Sequence, residues 1–144
     1  VAEVEVDPDT GFVRLDRMYV ANDVGTVINP MLLEGQMHGG LAQGIGQAMF
    51  ENIVYDEDTG QLLSASFMDY AMPRANDFPH FDVDVHPIPT DTNPLGVKGA
   101  GETGTVGAPA AVMNAISDAL HSKGAAPVEM PATPEKVWRA LNAA

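Results

Sequence analysis

The stretch from Met31 to Glu51 reads MLLEGQMHGGLAQGIGQAMFE and predicts a long helix. Its composition is unusual, because each glycine inside a helix costs about 0.8–1 kcal/mol relative to alanine. Small residues recur at helical spacing and predict one bare face, which would allow a second helix, a sheet or a ligand to approach the backbone closely. The residues of this predicted bare face are Gly35, Gly39, Ala42 and Gly46.

Alternating strands are expected on both sides of this helix in the sequence. Val4 and Val6 alternate with glutamates, a turn follows at Asp7–Gly11, and Phe12 to Val20 is expected to return as the second strand of a hairpin. The same pattern recurs after the helix. It predicts a second hairpin with strands at Ile53–Tyr55 and Gln61–Phe67 and a turn at Asp56–Gly60.

Two further helices are expected in the last third of the chain. Pro109 suits the first turn of a helix, where its missing N–H costs nothing, and this helix is expected to run to about His121 and to end before Gly124. Thr133 is the expected N-cap of the last helix, which Pro134 opens. Antiparallel hairpins packed with a glycine-rich helix and two further helices predict the α+β class.

Charge and composition exclude several classes of protein. The chain has 144 residues with 7 Lys+Arg and 20 Asp+Glu, a formal charge of −13 that argues against nucleic acid or an anionic membrane as a partner. The absence of cysteine excludes disulfides, a cysteine-held iron–sulfur cluster and thiol catalysis in this chain. No apolar run approaches the roughly 18 residues of a membrane span. The sequence begins with Val1 inside an expected strand, so we expect a piece of a longer protein.

Two patterns resemble metal sites and are better explained otherwise. The turn at Asp7–Gly11 resembles the start of a calcium loop but lacks the third acidic ligand and the distal glutamate, so an ordinary hairpin turn is expected. Alternation of apolar residues at positions 81, 83 and 85 predicts a strand whose other face carries two histidines and two aspartates. Successive positions on one strand face are too far apart to converge on one ion, so we expect a solvated face. These residues are His80, Asp82, Asp84 and His86.

The segment Gly99–Gly104 carries the strongest sign of chemistry. It matches the pattern G-x-G-x-x-G, but prolines interrupt the approach to it and a carboxylate within it would repel a pyrophosphate, so a dinucleotide-binding fold is not expected. That carboxylate, Glu102, has glycines on both sides and is sterically open to a ligand. The residues alone leave two alternatives: a general base, or a helix-entry residue that binds free N–H groups.

Three motifs together resemble one family. They are Asp23–Pro30, Glu34–Gly46 and Gly96–Gly104, and in this order and spacing they are similar to the C-terminal part of the molybdenum-binding large subunit of the xanthine dehydrogenase/aldehyde oxidase family. Glu102 is followed by Thr-Gly rather than by the Pro-Pro typical of the purine-oxidising enzymes, so the chain resembles bacterial aldehyde and carbon monoxide dehydrogenase-like large chains more closely. The resemblance identifies residues 1–144 as a C-terminal molybdopterin-binding subdomain of a larger subunit.

The resemblance also implies roles for individual residues. Glu102 corresponds to the family's general base beside molybdenum, in the hydroxylation of an aldehyde or N-heterocycle or in the oxidation of carbon monoxide. Gln36 corresponds to a glutamine that contacts the molybdopterin, and no residue of this chain is expected to bind the metal directly. Two further segments are expected close to the cofactor. They comprise Lys98, Gly99, Ala100 and Gly101, and Asp23, Val24, Gly25 and Thr26.

The same resemblance implies a cofactor and partners. The cofactor would be molybdopterin with molybdenum, including the cytosine dinucleotide form. The partners would be the upstream lobe of the same subunit, iron–sulfur and FAD subunits or domains and a small-molecule substrate, in the cytoplasm. By itself the chain is expected to bind no cofactor, to be inactive and to self-associate as a homo-oligomer through surface that the upstream lobe should cover. The alternative is a non-catalytic fragment or binding module that retains the fold.

Overall fold

The sheet of the protein contains both antiparallel and parallel pairs. The structure, a computed structural model, describes residues 1–143. Strand β2 lies in the centre, with β1 antiparallel on one side and β3 parallel on the other. The expected α+β class is therefore confirmed, although the sheet is mixed rather than antiparallel throughout. The strands are β1 Ala2–Val6, β2 Val13–Asn22 and β3 Phe81–Val85.

Three helices and one face of this sheet share a hydrophobic core. Val13, Leu15 and Met18 of β2 are buried and the side chains between them are exposed. The regular alternation is shifted by one residue between Leu15 and Met18, where the pairing with β1 changes register, so that all three contribute to the core. The helices are α1 Pro30–Met49, α2 Thr103–His121 and α3 Pro134–Asn142, with a short 3₁₀ turn at Ala75–Asp77. The largest fully buried side chains are those of Met18, Met37, Leu41, Ile45, Val112, Ile116, Leu120 and Val137.

The first hairpin forms as the sequence predicts. Gly11 adopts a φ of +72°, which a side chain would disfavour, and its N–H donates to the Asp7 carbonyl at 2.8 Å. The Asp7 carboxylate accepts from the Asp9 N–H at 2.9 Å and from the Thr10 hydroxyl at 2.7 Å. These hydrogen bonds, that from Thr10 first, lower the pKa of Asp7. The Asp7 carboxylate therefore stabilises the turn that closes the hairpin.

The second predicted hairpin is wrong as a pair of strands. Its turn is present, with Gly60 at a φ of +70° and its N–H bonded to the Asp56 carbonyl at 2.9 Å. Beyond the turn, the two runs form one β-bridge, between Tyr55 and Leu62. Two backbone hydrogen bonds flank it, from the Asp56 N–H to the Gln61 carbonyl and from the Leu63 N–H to the Val54 carbonyl, each 2.8 Å long. Most side chains of this segment are exposed, with Phe67 at 78%. Because neither face of these two runs is buried, alternation of apolar and polar residues does not stabilise them, and the pairing does not extend into a longer ladder.

The glycines of α1 pack against α2, but not through the face that the spacing predicts. A Cβ on Gly40 would lie 3.0 Å from the Thr105 nitrogen, and one on Gly44 would lie 2.9 Å from the Ala108 Cβ. A Cβ on Gly35 or Gly39 would meet nothing within 4 Å. The prediction that this face packs on another element is therefore wrong for Gly35 and Gly39, because the buried stripe runs through Leu41 and carries Gly40 and Gly44 with it. Gly46 is buried against Pro73, and approach of a ligand to the open part of the face stays a prediction.

Helix α2 begins earlier than predicted. It starts at Thr103, so Pro109 lies inside it rather than in its first turn. An internal proline removes one helical hydrogen bond and costs about 3 kcal/mol. The early start is stabilised by contact with α1, since the Thr105 hydroxyl donates to the Gly40 carbonyl at 3.0 Å and Gly104 lies against the backbone of α1. A tertiary contact thus overrides the local signal of the proline.

The other helix boundaries agree with the sequence. Asn29 caps α1, because its side chain accepts a hydrogen bond from the Leu32 N–H, and Pro30 is the first helical residue. Thr133 caps α3 through the Lys136 N–H. No helix within residues 1–143 combines the length and the apolar character needed to cross a membrane.

Replacement of Gly44 by alanine tests the helix contact. We expect Gly44→Ala to lower the free energy of unfolding by about 1–3 kcal/mol, because the new Cβ overpacks the interface with Ala108 and Pro109. The matched control is Gly39→Ala, whose Cβ enters open space. The control should raise stability by about 0.5–1 kcal/mol through helix propensity. Urea denaturation followed by circular dichroism measures both, and equal effects in the two variants would contradict this packing.

Candidate functional site

Two loops that are far apart in sequence are joined at the site. The Thr26 N–H donates to the Gly96 carbonyl at 2.9 Å, and the Lys98 N–H donates to the Val24 carbonyl at 2.9 Å. Both glycines of this contact, Gly25 and Gly96, have φ values in the left-handed region, +64° and +67°. A Cβ on Gly25 would lie 2.3 Å from the Gly96 carbonyl oxygen. Glycine at these positions is required by close approach as well as by backbone conformation.

The side chain of Asp23 strengthens this junction. Its Oδ2 pairs with the Lys98 ammonium, and its Oδ1 accepts from the N–H groups of Gly25 at 2.9 Å and Ile88 at 3.0 Å. The hydrogen bond from Lys98 is the largest cause, and the two backbone hydrogen bonds the next, of a fall in the pKa of Asp23 to about 2. Asp23 is therefore charged at neutral pH and links three segments of the chain.

A first cleft, of about 290 Å³, lies between these loops and the start of α1. Its walls are mostly apolar, and the exposed Gln36 contributes an amide that can both donate and accept hydrogen bonds. The cleft brings together several residues that the sequence predicts for cofactor binding. These are Val24, Thr26, Gln36, Lys98 and Ala100.

A second cleft, of about 560 Å³, contains Glu102. Gly99 and Gly101 line it, whereas Lys98 and Ala100 line the first cleft, so alternate residues of this segment contribute to different clefts. The predicted site residues are thereby divided between two clefts that share one strip of backbone. Asp23 and Gly25 line neither cleft and lie in the junction of the loops.

Glu102 precedes α2 as its N-cap residue. Its carbonyl accepts from the Val106 N–H at 3.1 Å, but its side chain makes no capping hydrogen bond and is exposed. The alternative in which this carboxylate binds the free N–H groups of the helix is therefore wrong. The carboxylate is left available to a ligand in the second cleft.

The backbone from Gly99 to Gly101 offers a row of hydrogen-bond donors. Within residues 1–143, none of these N–H groups donates to a protein acceptor. A Cβ on Gly99 or Gly101 would meet no atom within 4 Å, so bare backbone faces open space here. Such an arrangement suits a ligand with several acceptor atoms.

Asn22 is a residue of the second cleft that the sequence analysis missed. Its Nδ2 is buried and has no hydrogen-bond partner among residues 1–143. Asn22 ends β2, where its carbonyl accepts from the His86 N–H at 2.8 Å, and it lines the cleft with Glu102. A buried donor without an acceptor lowers the free energy of unfolding by about 1–3 kcal/mol, so the position of Asn22 in the cleft is not explained by stability. No sequence signal identifies it, because an asparagine before a turn is ordinary.

The strand face with two histidines and two aspartates remains solvent-exposed, as expected. His80, Asp82, Asp84 and His86 are all exposed. In the described part of the chain, no group of three or more histidine, aspartate or glutamate side chains is arranged to hold a metal ion. The described residues therefore give no support to a metal site on this face of the strand.

Comparison with known proteins identifies the family. Residues 1–79 match the model of the molybdopterin cofactor-binding domain. The chain belongs to this family. It corresponds to the C-terminal portion of the molybdopterin-binding large subunits of the xanthine dehydrogenase, carbon monoxide dehydrogenase and aldehyde oxidoreductase group, which confirms the resemblance read from the three motifs.

Relatives within this family match nearly the whole chain. It is 47% identical over 139 residues to the nicotine 6-hydroxylase large subunit of Paenarthrobacter nicotinovorans, covering 96% of this chain and 17% of that protein. It is 40% identical over 136 residues to the carbon monoxide dehydrogenase large chain of Afipia carboxidovorans, and this match covers 94% of this chain and 17% of that protein. The crystal structure of quinoline 2-oxidoreductase from Pseudomonas putida 86 matches with a TM-score of 0.92 and 40% identity. This match covers 96% of this chain and 18% of the chain in that structure. The chain thus spans about a sixth of the length of the relatives it matches.

The ion pair of Asp23 gives a pH-dependent contribution to stability. Because folding lowers the pKa of Asp23 to about 2, the stabilisation is complete above the ordinary aspartate pKa of about 3.9 and is lost as the pH falls towards 2. We expect Asp23→Asn to lower the unfolding temperature at pH 7 and to have little effect at pH 2. Thermal unfolding from pH 2 to 7 measures this difference. The control is Asp82→Asn on the exposed face of β3, and a difference for Asp23→Asn that persists at pH 2 would contradict the ion pair as its source.

Removal of the unpaired donor of Asn22 should stabilise the fold. We expect Asn22→Leu, which conserves side-chain volume, to raise the free energy of unfolding by about 1–3 kcal/mol because no buried N–H is left without an acceptor. Chemical denaturation of the variant beside the wild type measures the effect. A destabilised Asn22→Leu protein would show that the amide has a partner in the folded chain.

Proposed function

We propose that the chain forms one wall of the active site of a molybdenum hydroxylase large subunit, with Glu102 as general base. The observation that carries this proposal is the exposed Glu102 carboxylate, which is free of capping bonds and stands among bare glycine backbone in the second cleft. The named activities of the relatives, nicotine hydroxylation and quinoline oxidoreduction, favour an N-heterocycle as substrate. An aldehyde or carbon monoxide is the alternative.

The first cleft and the bare backbone of residues 99–101 are suited to hold molybdopterin. The Gln36 amide can bind the polar edge of a pterin, and the N–H groups of Gly99, Ala100 and Gly101 can bind its acceptor atoms. Apolar contacts from Val24 and Ala100 complete this wall. When bound, the cofactor supplies the oxidising centre and the oxygen that is transferred. We include the cytosine dinucleotide form in the proposal.

Glu102 would accept a proton from a group held in the second cleft. The adjacent glycines leave its carboxylate oxygens open to approach, and its backbone is fixed at the start of α2 through the Val106 N–H. A general base must lie within about 2.6–3.2 Å of the proton donor, so the fixed backbone matters as much as the charge. The rest of the large subunit would exclude water from this cleft.

The proposed assembly contains the remaining parts of the enzyme. The upstream lobe of the large subunit would cover the clefts, and iron–sulfur and FAD subunits or domains would carry electrons away. One relative is named as the gamma subunit of a 6-hydroxypseudooxynicotine dehydrogenase complex, which supports a multi-subunit enzyme. A cytoplasmic location and self-association of the chain by itself remain predictions.

The variant Glu102→Gln in the complete assembly tests the general base. The amide preserves the shape but cannot accept the proton, so we expect kcat to fall by about 10²–10⁴-fold. The matched control is Glu57→Gln in the exposed turn of residues 56–60, which should leave kcat unchanged. Steady-state kinetics with a panel of N-heterocycles, aldehydes and carbon monoxide gives the measurement and the substrate class.

Cofactor content separates the possible outcomes of that experiment. Both variants should contain as much molybdenum and pterin as the wild type. Turnover of Glu102→Gln within about tenfold of wild type would remove Glu102 as general base. An assembly that contains neither molybdenum nor pterin would favour a non-catalytic binding module.

A further inference from the structure

Asp23 and Lys98 direct their charges at each other rather than at a ligand. Their side chains are only 33% and 35% exposed and form an ion pair across 75 positions of sequence. We propose that this pair is a clasp that fixes the path of residues 98–102 and thereby positions the Glu102 carboxylate. This inference rests on the proposed function, in which Glu102 is the base. It makes Asp23 a positioning residue that acts through Lys98.

The clasp joins three segments at one carboxylate. Oδ1 of Asp23 accepts from its own loop at Gly25 and from the proline-rich segment at Ile88, while Oδ2 accepts from Lys98. An ionised carboxylate strengthens each of these hydrogen bonds. The backbone bond from the Lys98 N–H to the Val24 carbonyl, 2.9 Å long, lies beside the ion pair. Lys98 is thus held by both its main chain and its side chain.

Gly99 and Gly101 have few restraints of their own, whereas Ala100 between them packs against the small hydrophobic cluster that contains Val24 and Met37. Within residues 1–143, the N–H groups of Gly99, Ala100 and Gly101 have no acceptor, and the two glycines have no side chain to pack. The next anchor is Thr103, whose hydroxyl donates to the Ala100 carbonyl at 2.9 Å and approaches the Met37 sulfur at 3.2 Å. The strip therefore spans two fixed points, the clasp at Lys98 and the start of α2.

Only the clasp end of the strip depends on charge. The end at Thr103 is held by packing on α1, where a Cβ on Gly104 would lie 2.7 Å from the Met37 carbonyl oxygen. Loss of the Asp23 charge would free the Lys98 ammonium in the first cleft and loosen the strip that leads to Glu102. Since displacement of a catalytic group by about 1 Å can cost 10²-fold in rate, a loose strip would lower kcat without abolishing binding.

The test uses the assembled enzyme and the variants Asp23→Asn and Lys98→Met. Asn keeps the shape and an acceptor for the two backbone N–H groups, and Met keeps the packing of the lysine stem. We expect each variant to lower kcat by about 10–100-fold with KM little changed, and the double variant to be no worse than either single one. The control is Asp16→Asn, which breaks the exposed ion pair with Arg14 on β2 and should leave kcat unchanged.

Two further readouts separate positioning from a general structural role. Hydrogen exchange of the Thr26 and Lys98 amides, which donate to the Gly96 and Val24 carbonyls, should quicken at least tenfold in Asp23→Asn and stay unchanged in Asp16→Asn. In a Glu102→Gln background, addition of Asp23→Asn should cost no further loss of kcat, because both changes act through the same carboxylate. Molybdenum and pterin content should equal that of the wild type.

The proposal is overturned by any of three results. These are unchanged exchange of the Thr26 and Lys98 amides in Asp23→Asn, loss of cofactor in that variant, or losses of kcat that multiply when Asp23→Asn and Glu102→Gln are combined. A Glu102→Gln enzyme that turns over within about tenfold of wild type would instead overturn the general base. In that event the exchange of the Lys98 amide still decides whether the ion pair fixes the start of residues 98–102.

Discussion

The contact between α1 and α2 is the constraint on which the site depends. Gly40, Gly44 and Gly104 remove side chains where the two helices meet, so the backbones approach to distances at which a Cβ on any of them would lie 3.0 Å or less from an atom of the other helix. The Thr105 hydroxyl adds a hydrogen bond to the Gly40 carbonyl across this interface. Because α2 is fixed here from its first turn, the backbone of Glu102 at its N-cap is held at the edge of the second cleft.

The parallel pairing of β2 with β3 supplies the other half of the site. Parallel strands end at the same edge of a sheet, so the residues after Asn22 and those after Val85 lie side by side. This proximity allows the Asp23 carboxylate to reach the Ile88 N–H at 3.0 Å. The loop from β2 and the glycine strip before α2 then close on each other through two backbone hydrogen bonds and an ion pair.

The strip of residues 98–102 combines low restraint with a defined position. Its glycines and unpaired N–H groups keep the backbone available to a ligand, and its two anchored ends limit where that backbone can lie. Asn22 shows a related compromise, since its buried Nδ2 has no acceptor within residues 1–143. Unsatisfied donors and bare backbone weaken a fold, and their concentration beside Glu102 agrees with a surface shaped for binding.

Local chemistry in the sequence determined the α+β class, the long helix, the turns at Gly11 and Gly60 and the three motifs that identify the family, because periodicity, caps and positive φ are properties of neighbouring residues. Four features were decided only by the tertiary structure. They are the glycine face that packs, the start of α2 before Pro109, the reduction of the second hairpin to one bridge and the pairing of Asp23 with Lys98. Each depends on what lies opposite a residue in space, and for the ion pair that partner is 75 positions away. Spacing along the chain shows which residues share a face, whereas packing decides what that face contacts.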